Sequence, residues 1–159
     1  MKRGSMAAAT ARRLVTWALI AAACSSGAAG GKTVTVNSSS GEAVKVGVEL
    51  ATTPESRAFG LMYRQELGTN AGMLFVFPQK EPQQFWMHNT QIPLDILYIR
   101  DDGKVARIYA RTTPMSDTPL PSGEPVRFVL EVKGGFCADR SIKVGDTVDL
   151  GDLARAPAS

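Results

Sequence analysis

The chain has 159 residues, of which 44% are hydrophobic and 21% are charged. This length fits one ordinary domain and excludes a multidomain assembly, and the hydrophobic fraction excludes a wholly disordered protein. The formal charge is +3, yet four of the 18 basic residues lie in the first 13 positions, so the remainder of the chain, with 15 acids, carries no basic excess that would predict a nucleic-acid partner.

Residues 1–23 have the pattern of a secretory signal peptide, in which basic residues precede an apolar run from Leu14 to Ala23. That run is too short to span a bilayer, which takes roughly 20 apolar residues. Ile20–Gly27 resembles a bacterial lipobox, although Leu is usual where Ala21 stands. We therefore expect a protein anchored by lipid on Cys24 at the extracytoplasmic side of a membrane.

The alternative is ordinary signal cleavage, near Ala23 or Ala29, which would release the protein into the periplasm. Residues 24–32, rich in Ser, Gly and Ala, are predicted to form a flexible tether.

Two strands and a helix are predicted next. Thr33–Val36 and Val44–Leu50 alternate between apolar and other residues, as half-buried strands do. Asn37–Gly41 between them has the composition of a hairpin connection. Thr53 as N-cap and Pro54 at the first helical position predict a short helix over residues 54–65.

The pattern of the remaining sequence predicts β structure. The predicted strands are Met73–Phe77, Phe85–Thr90, Asp95–Arg100, Lys104–Ala110, Val126–Val132 and Thr147–Leu150. Residues 101–103 (Asp-Asp-Gly) form a strong hairpin signal, and a turn or helix is expected at 135–140. The proline-rich segment 114–125 is not expected to form a central strand. We predict that residues 33–151 form a compact β-sandwich or barrel with one short helix. A frayed tail, residues 152–159, is expected to follow.

Several motifs in this order resemble those of the DUF192 family, a domain of unknown function. They are Val48–Ala51, Arg57–Arg64, Gly72–Phe77, Phe85–Asp95, Val129–Val132 and Gly145–Asp146. The resemblance covers roughly residues 44–150 and implies a small, mainly β domain, often exported, with no generally assigned activity. Two positions depart from the family pattern: many members have Lys or Arg in place of His88, and small residues are more usual in place of Cys137.

The block Phe85–Asp95 supplies most of the candidate ligand-binding residues. On a strand, Trp86, His88 and Thr90 share one face and Asn89 lies on the other. An aromatic ring beside polar groups can line a pocket for a sugar or another small polar ligand. The alternative is a buried Trp86 with an exposed His88.

Asp95 lies in an apolar stretch, so its carboxylate needs a partner. Arg57 and Arg64 are the natural candidates, because a guanidinium matches a carboxylate in shape and charge. Such a group either ties the helix to the sheet or rims a cleft that binds an anionic or hydroxylated ligand. Our candidate ligand-binding residues are therefore Arg57, Arg64, Trp86, His88, Asn89 and Asp95.

Cofactor and metal sites have little support in the sequence. No phosphate-binding or dinucleotide fingerprint occurs, and His88 is the single histidine. A metal site built from His88, Asp95 and Glu49 would lack ligand spacing. We expect no cofactor and no metal. Cys137 is interpreted as a buried, small apolar residue, with a reactive thiol or a disulfide to Cys24 as alternatives.

Three functions remain open. The first is a non-catalytic envelope binding module for a small polar or saccharide-like ligand or cell-wall component. The second is a structural or accessory envelope protein. The third is a hydrolase or lyase that uses Asp95 and His88, with Arg57 or Arg64 stabilising charge.

Overall fold

The computed structural model of the protein describes residues 31–159. The predicted signal peptide and Cys24 lie outside the described residues, as does nearly all of the tether. The strands are β1 (Lys32–Asn37), β2 (Ala43–Ala51), β3 (Ala71–Phe85), β4 (Leu94–Ile99), β5 (Val105–Tyr109), β6 (Leu120–Lys133) and β7 (Thr147–Asp149). Two short helices, α1 (Pro54–Phe59) and α2 (Phe136–Asp139), and a final 3₁₀ segment, Gly151–Arg155, complete the chain.

The strands form one sheet in the order β5-β4-β6-β3-β2-β1-β7. A bridge between Lys104 and Thr147 brings the two edges together, so the sheet is a nearly closed barrel. All neighbouring pairs are antiparallel except β2 and β3, and α1 lies in the connection between those two parallel strands. The prediction of a mainly β barrel or sandwich is confirmed.

The fold has two hydrophobic cores, one on each side of the central strands. Inside the barrel, valines of β1, β2 and β7 meet residues such as Leu74, Leu97 and Leu130. On the outer face of β3, β4 and β6, a second core contains Phe75 and Tyr98 and is covered by loop residues such as Leu61 and Met87. Every residue of β4 is buried as a result.

The helix α1 is shorter than predicted. Thr53 caps it as expected, since its Oγ1 accepts from the Ser56 amide (3.2 Å) while the Ser56 Oγ accepts from the Thr53 amide (3.0 Å). The helix ends at Phe59 rather than near residue 65, because Gly60 takes φ 50° and ψ −134°. Only glycine adopts such a conformation without strain.

Part of the proline-rich segment belongs to a strand, but these residues pair with β3 on one side only. The strand β3 continues through Pro78 to Phe85, and β6 begins at Leu120, so that Pro82 faces Pro125. This stretch tolerates prolines because β4 pairs only with residues 128–133 of β6, and the strand register shifts after Val76 and again after Pro82. The residues 78–85 and 120–127 form a two-stranded arm that extends beyond the barrel wall.

The C-terminal segment differs from the predicted frayed tail. Leu153 and Ala156 are buried in the inner core, and the Ser159 amide donates to the Thr52 carbonyl at 3.0 Å. The apolar residues of the 3₁₀ segment hold this part of the chain against the barrel.

Candidate functional site

A cleft of about 310 Å³ opens between α1 and the root of the β3–β6 arm. One wall is residues 57–62, and the opposite wall comes from β3 and the residues that follow it. Five of the fourteen residues that line it are aromatic: Phe59, Phe75, Phe77, Phe85 and Trp86. The volume lies at the lower end of small-molecule sites, which span about 300–1,000 Å³.

Glu131 lies at the floor of this cleft. It is a buried polar residue of β6 on the side of the second core, directly opposite Met73 of β3 and Ile96 of β4. Its side chain is 5% exposed, and its Oε2 atom has no hydrogen-bond partner among the described residues. Burial raises the pKa of this carboxyl from 4.5 to about 8, so the acid is protonated near neutral pH.

Gly60 lies above Glu131 and shapes the cleft. A Cβ atom at this position would lie 3.2 Å from Cζ of Phe75 and 3.8 Å from Oε2 of Glu131. The residue is therefore required both for its backbone conformation and for its small size. By ending α1, it turns the following chain across the floor of the cleft.

Trp86 and Thr90 line the cleft, whereas His88 does not. Trp86 is 52% exposed, so the alternative of a buried Trp86 is wrong. Residues 86–90 form a turn rather than the predicted strand. The His88 ring lies 5.2 Å from that of Trp86, and its Nδ1 is 2.7 Å from Oδ1 of Asp117 at the surface.

Asn89 ties together the two loops beside the cleft. Its Nδ2 donates to the Tyr63 hydroxyl at 2.8 Å, and its carbonyl accepts from the Tyr63 amide at 2.8 Å. Both residues have positive φ values, 51° for Asn89 and 62° for Tyr63. The loop after α1 is thereby held against the turn that carries Trp86.

The two candidate arginines have different positions. Arg57 lines the cleft, but its guanidinium donates to the carbonyls of Thr52 (2.7 Å), Val76 (3.1 Å) and Ser159 (2.5 Å). Arg64 lies outside the cleft and pairs with Glu49 at 2.5 Å. The predicted pairing of either arginine with Asp95 is wrong.

Asp95 is instead held by backbone amides. Its Oδ1 accepts from the amides of Arg111 (2.7 Å) and Gly135 (2.9 Å), and its Oδ2 accepts from that of Cys137 (2.8 Å). The carboxylate is fully buried and lies apart from the cleft lining. It fastens the start of α2 to β4, and this is a structural task.

Cys137 is buried in the inner core, as the simplest interpretation predicted. Burial and the nearby negative charge of Asp95 raise the pKa of its thiol, which disfavours a reactive thiolate. The disulfide alternative involves Cys24, which lies outside the described residues.

Residues 31–159 contain neither a membrane-spanning helix nor a cluster of metal-binding side chains. This part of the chain has no helix long and apolar enough to cross a bilayer. It also holds no group of three or more His, Cys, Asp or Glu side chains placed to share a metal ion.

A family model for DUF192, described as "Uncharacterized ACR", matches residues 35–150. The chain belongs to the DUF192 family. Two solved structures are similar to this DUF192 protein. One, from Sinorhizobium meliloti 1021 and provisionally designated a transcription regulator, is 38% identical, with a TM-score of 0.72, over 74% of this chain and 91% of that one.

The second structure is a protein of unknown function from Novosphingobium aromaticivorans DSM 12444. It is 44% identical to this DUF192 chain, with a TM-score of 0.71, over 74% of this chain and 83% of the other. No curated protein is significantly similar. The family and the fold are thus shown, and the family remains one of unknown function.

Sequence reasoning missed Glu131 as a site residue in this DUF192 domain. The signal was present, because Glu131 interrupts the apolar run Val129–Val132, and an acid within a buried strand needs a reason. The pattern marks such a residue but does not show that its carboxyl faces a cleft.

Replacing Asp95 by Asn should destabilise the protein by about 3 kcal/mol, since charge-assisted bonds to three buried amides are weakened and an amide donor is placed against other donors. Urea unfolding measures this difference. The exposed Asp152→Asn serves as the matched control and should change stability by less than about 0.5 kcal/mol. An unchanged unfolding midpoint in Asp95→Asn would contradict the assigned structural role.

The buried Glu131 should make stability fall as pH rises. Its folded pKa of about 8 lies above the ordinary value of 4.5, so between these values the folded state binds more protons than the unfolded state. The free energy of unfolding therefore has its full value below about pH 4.5. It decreases by several kcal/mol in total as the pH rises from about 4.5 to about 8. Urea unfolding across this range should show the decline in the native protein and a flatter profile in Glu131→Gln; parallel profiles would refute the assignment.

Proposed function

We propose that this DUF192 domain is an exported, lipid-anchored module of the cell envelope that binds a small polar ligand of the saccharide class in its aromatic cleft. The observation that carries the binding part is an aromatic-lined cleft with an unsatisfied buried carboxyl, Glu131, at its floor. Export and anchoring rest on the sequence of residues 1–24.

The composition of the cleft fits such a ligand. Aromatic faces stack on the apolar faces of a sugar ring, and a few polar groups fix its orientation. The exposed ring of Trp86 offers the stacking surface, whereas Thr90 and Glu131 supply polar groups deeper in the cleft.

The hydrolase or lyase alternative has less support. The carboxylate oxygens of Asp95 accept hydrogen bonds from three backbone amides, so Asp95 is not free to act as an acid or base. His88 faces Asp117 outside the cleft lining. A structural or accessory envelope role stays the main competitor, and it requires that the cleft bind no small molecule.

Removing the stacking surface should weaken ligand binding. Trp86→Ala is expected to lower the affinity for a saccharide or peptidoglycan fragment by about tenfold, the equivalent of one aromatic stacking contact. A panel of such compounds is titrated by calorimetry, with the fluorescence of Trp86 as a second signal. Val144→Ala, an exposed apolar residue outside the cleft, should bind like the native protein.

If no compound of the panel binds, or if Trp86→Ala binds as well as the native protein, the proposed binding module is wrong and the structural role gains support.

The lipid anchor predicts where the protein is found. The native protein should fractionate with membranes and show an acylated N-terminal Cys24 by intact-mass analysis, because several acyl chains on one residue bind a bilayer stably. Cys24→Ala should move it to the soluble or uncleaved fraction. An unmodified N-terminus beyond residue 24 in the native protein would rule out the anchor.

A further inference from the structure

The Glu131 carboxyl lacks a hydrogen-bond partner at the border of the cleft. It lines the cleft, and its Oε2 atom is buried without a hydrogen bond among the described residues. Leaving a buried polar group unsatisfied carries a free-energy cost. A bound ligand that supplies the missing partner removes this cost, so the chemistry of the partner defines the ligand class.

Within residues 31–159, no side chain supplies a counter-charge to Glu131. Two charged or titratable side chains lie near it, Arg57 of α1 and Tyr98 of β4. The neighbouring residues of β3, Met73 and Phe75, are apolar. The guanidinium of Arg57 donates hydrogen bonds to three carbonyls, and the Tyr98 hydroxyl donates to the Leu120 carbonyl. Burial alone accounts for the raised pKa of Glu131, with no lowering by a nearby cation.

The aromatic rings in the wall of the cleft attract positive charge, and Arg57 is the one cationic side chain among the lining residues. Ring faces carry negative potential and attract ammonium and guanidinium groups, most strongly where water is excluded. The cleft already contains one such contact, because Cζ of Arg57 lies 5.2 Å from the centroid of Phe77. Phe75, Phe85 and Trp86 present further aromatic surface around Glu131.

We infer that the cleft takes a ligand bearing an ammonium group, which pairs with the Glu131 carboxylate among the aromatic rings. This inference rests on the proposed binding function and narrows it to amines, amino sugars among them. On binding, the neutral carboxylic acid gives its proton to the buffer, and the ammonium group takes the place of that proton. An ammonium donor thus satisfies the carboxylate that the fold leaves unpaired.

The test uses the full purified protein and two probes of similar shape, benzylamine and benzyl alcohol. Calorimetric titration near pH 7 in phosphate and in the zwitterionic buffer MOPS, which differ in ionisation enthalpy, gives the number of protons exchanged. We expect benzylamine to bind at least about tenfold more tightly than the alcohol. Because Glu131 is mostly protonated at this pH, close to one proton should be released per amine bound.

The pH dependence has a defined sign. Affinity for benzylamine should rise by about tenfold per pH unit up to about pH 8, as ionised Glu131 becomes available. In Glu131→Gln the preference for the amine should shrink to about twofold or less and proton release should vanish. Glu66→Gln, an exposed acid outside the cleft, should behave like the native protein.

Proton release by the native protein needs no variant, so the test stands even where Glu131→Gln does not fold. The inference is overturned if the alcohol binds as tightly as the amine, if benzylamine does not bind, or if affinity falls as pH rises, which would mean that the neutral acid donates to a ligand acceptor. Saccharide binding that depends on Trp86 but shows no preference for amines would overturn this inference alone. Failure of both probes and of the saccharide panel would remove the binding function as well.

Discussion

The structure depends on the burial of its central strands on both faces. β3, β4 and β6 pack inward against the valines of the barrel and outward against a second core, so no face of β4 is left to solvent. A sheet buried on both sides needs a cover. Here the cover is made of one short helix and several loops rather than a second sheet. The cleft is the space between this cover and the strands, beside α1.

Two buried acids differ in whether the fold supplies hydrogen-bond partners for their carboxyl groups. Asp95 in β4 and Glu131 in β6 both lie within apolar strands. The shorter side chain receives three backbone amides, two of them at the start of α2, so its charge is compensated without any cation. The longer one receives none and stays protonated at neutral pH. The fold therefore contains one carboxylate that organises the backbone and one carboxylic acid that faces the cleft.

The cover is fixed by a few polar contacts at its ends. Asn89 holds the chain after α1 through Tyr63, and Arg57 anchors the start of the helix to three carbonyls, one of them in the C-terminal segment. Gly60 provides the backbone turn between these anchors. The family motif Arg57–Arg64 and the block Phe85–Asp95 are thus adjacent in space and contribute much of one site, although residues 65–84 separate them in the sequence.

The sequence by itself determined the β architecture, the hairpins, the Thr53 cap and the family, because alternation, turn residues and caps act locally along the chain. It also marked the aromatic block with Trp86 as a binding candidate. Only the tertiary structure decided the partners of Asp95, the early end of α1 and the place of Glu131 in the cleft. It also decided that the proline-bearing residues 78–85 and 120–127 pair as strands. These features depend on contacts between residues far apart in the chain. A pattern shows that a buried acid needs a partner, but only the packing of distant strands and loops shows which amides reach it and which acid is left without one.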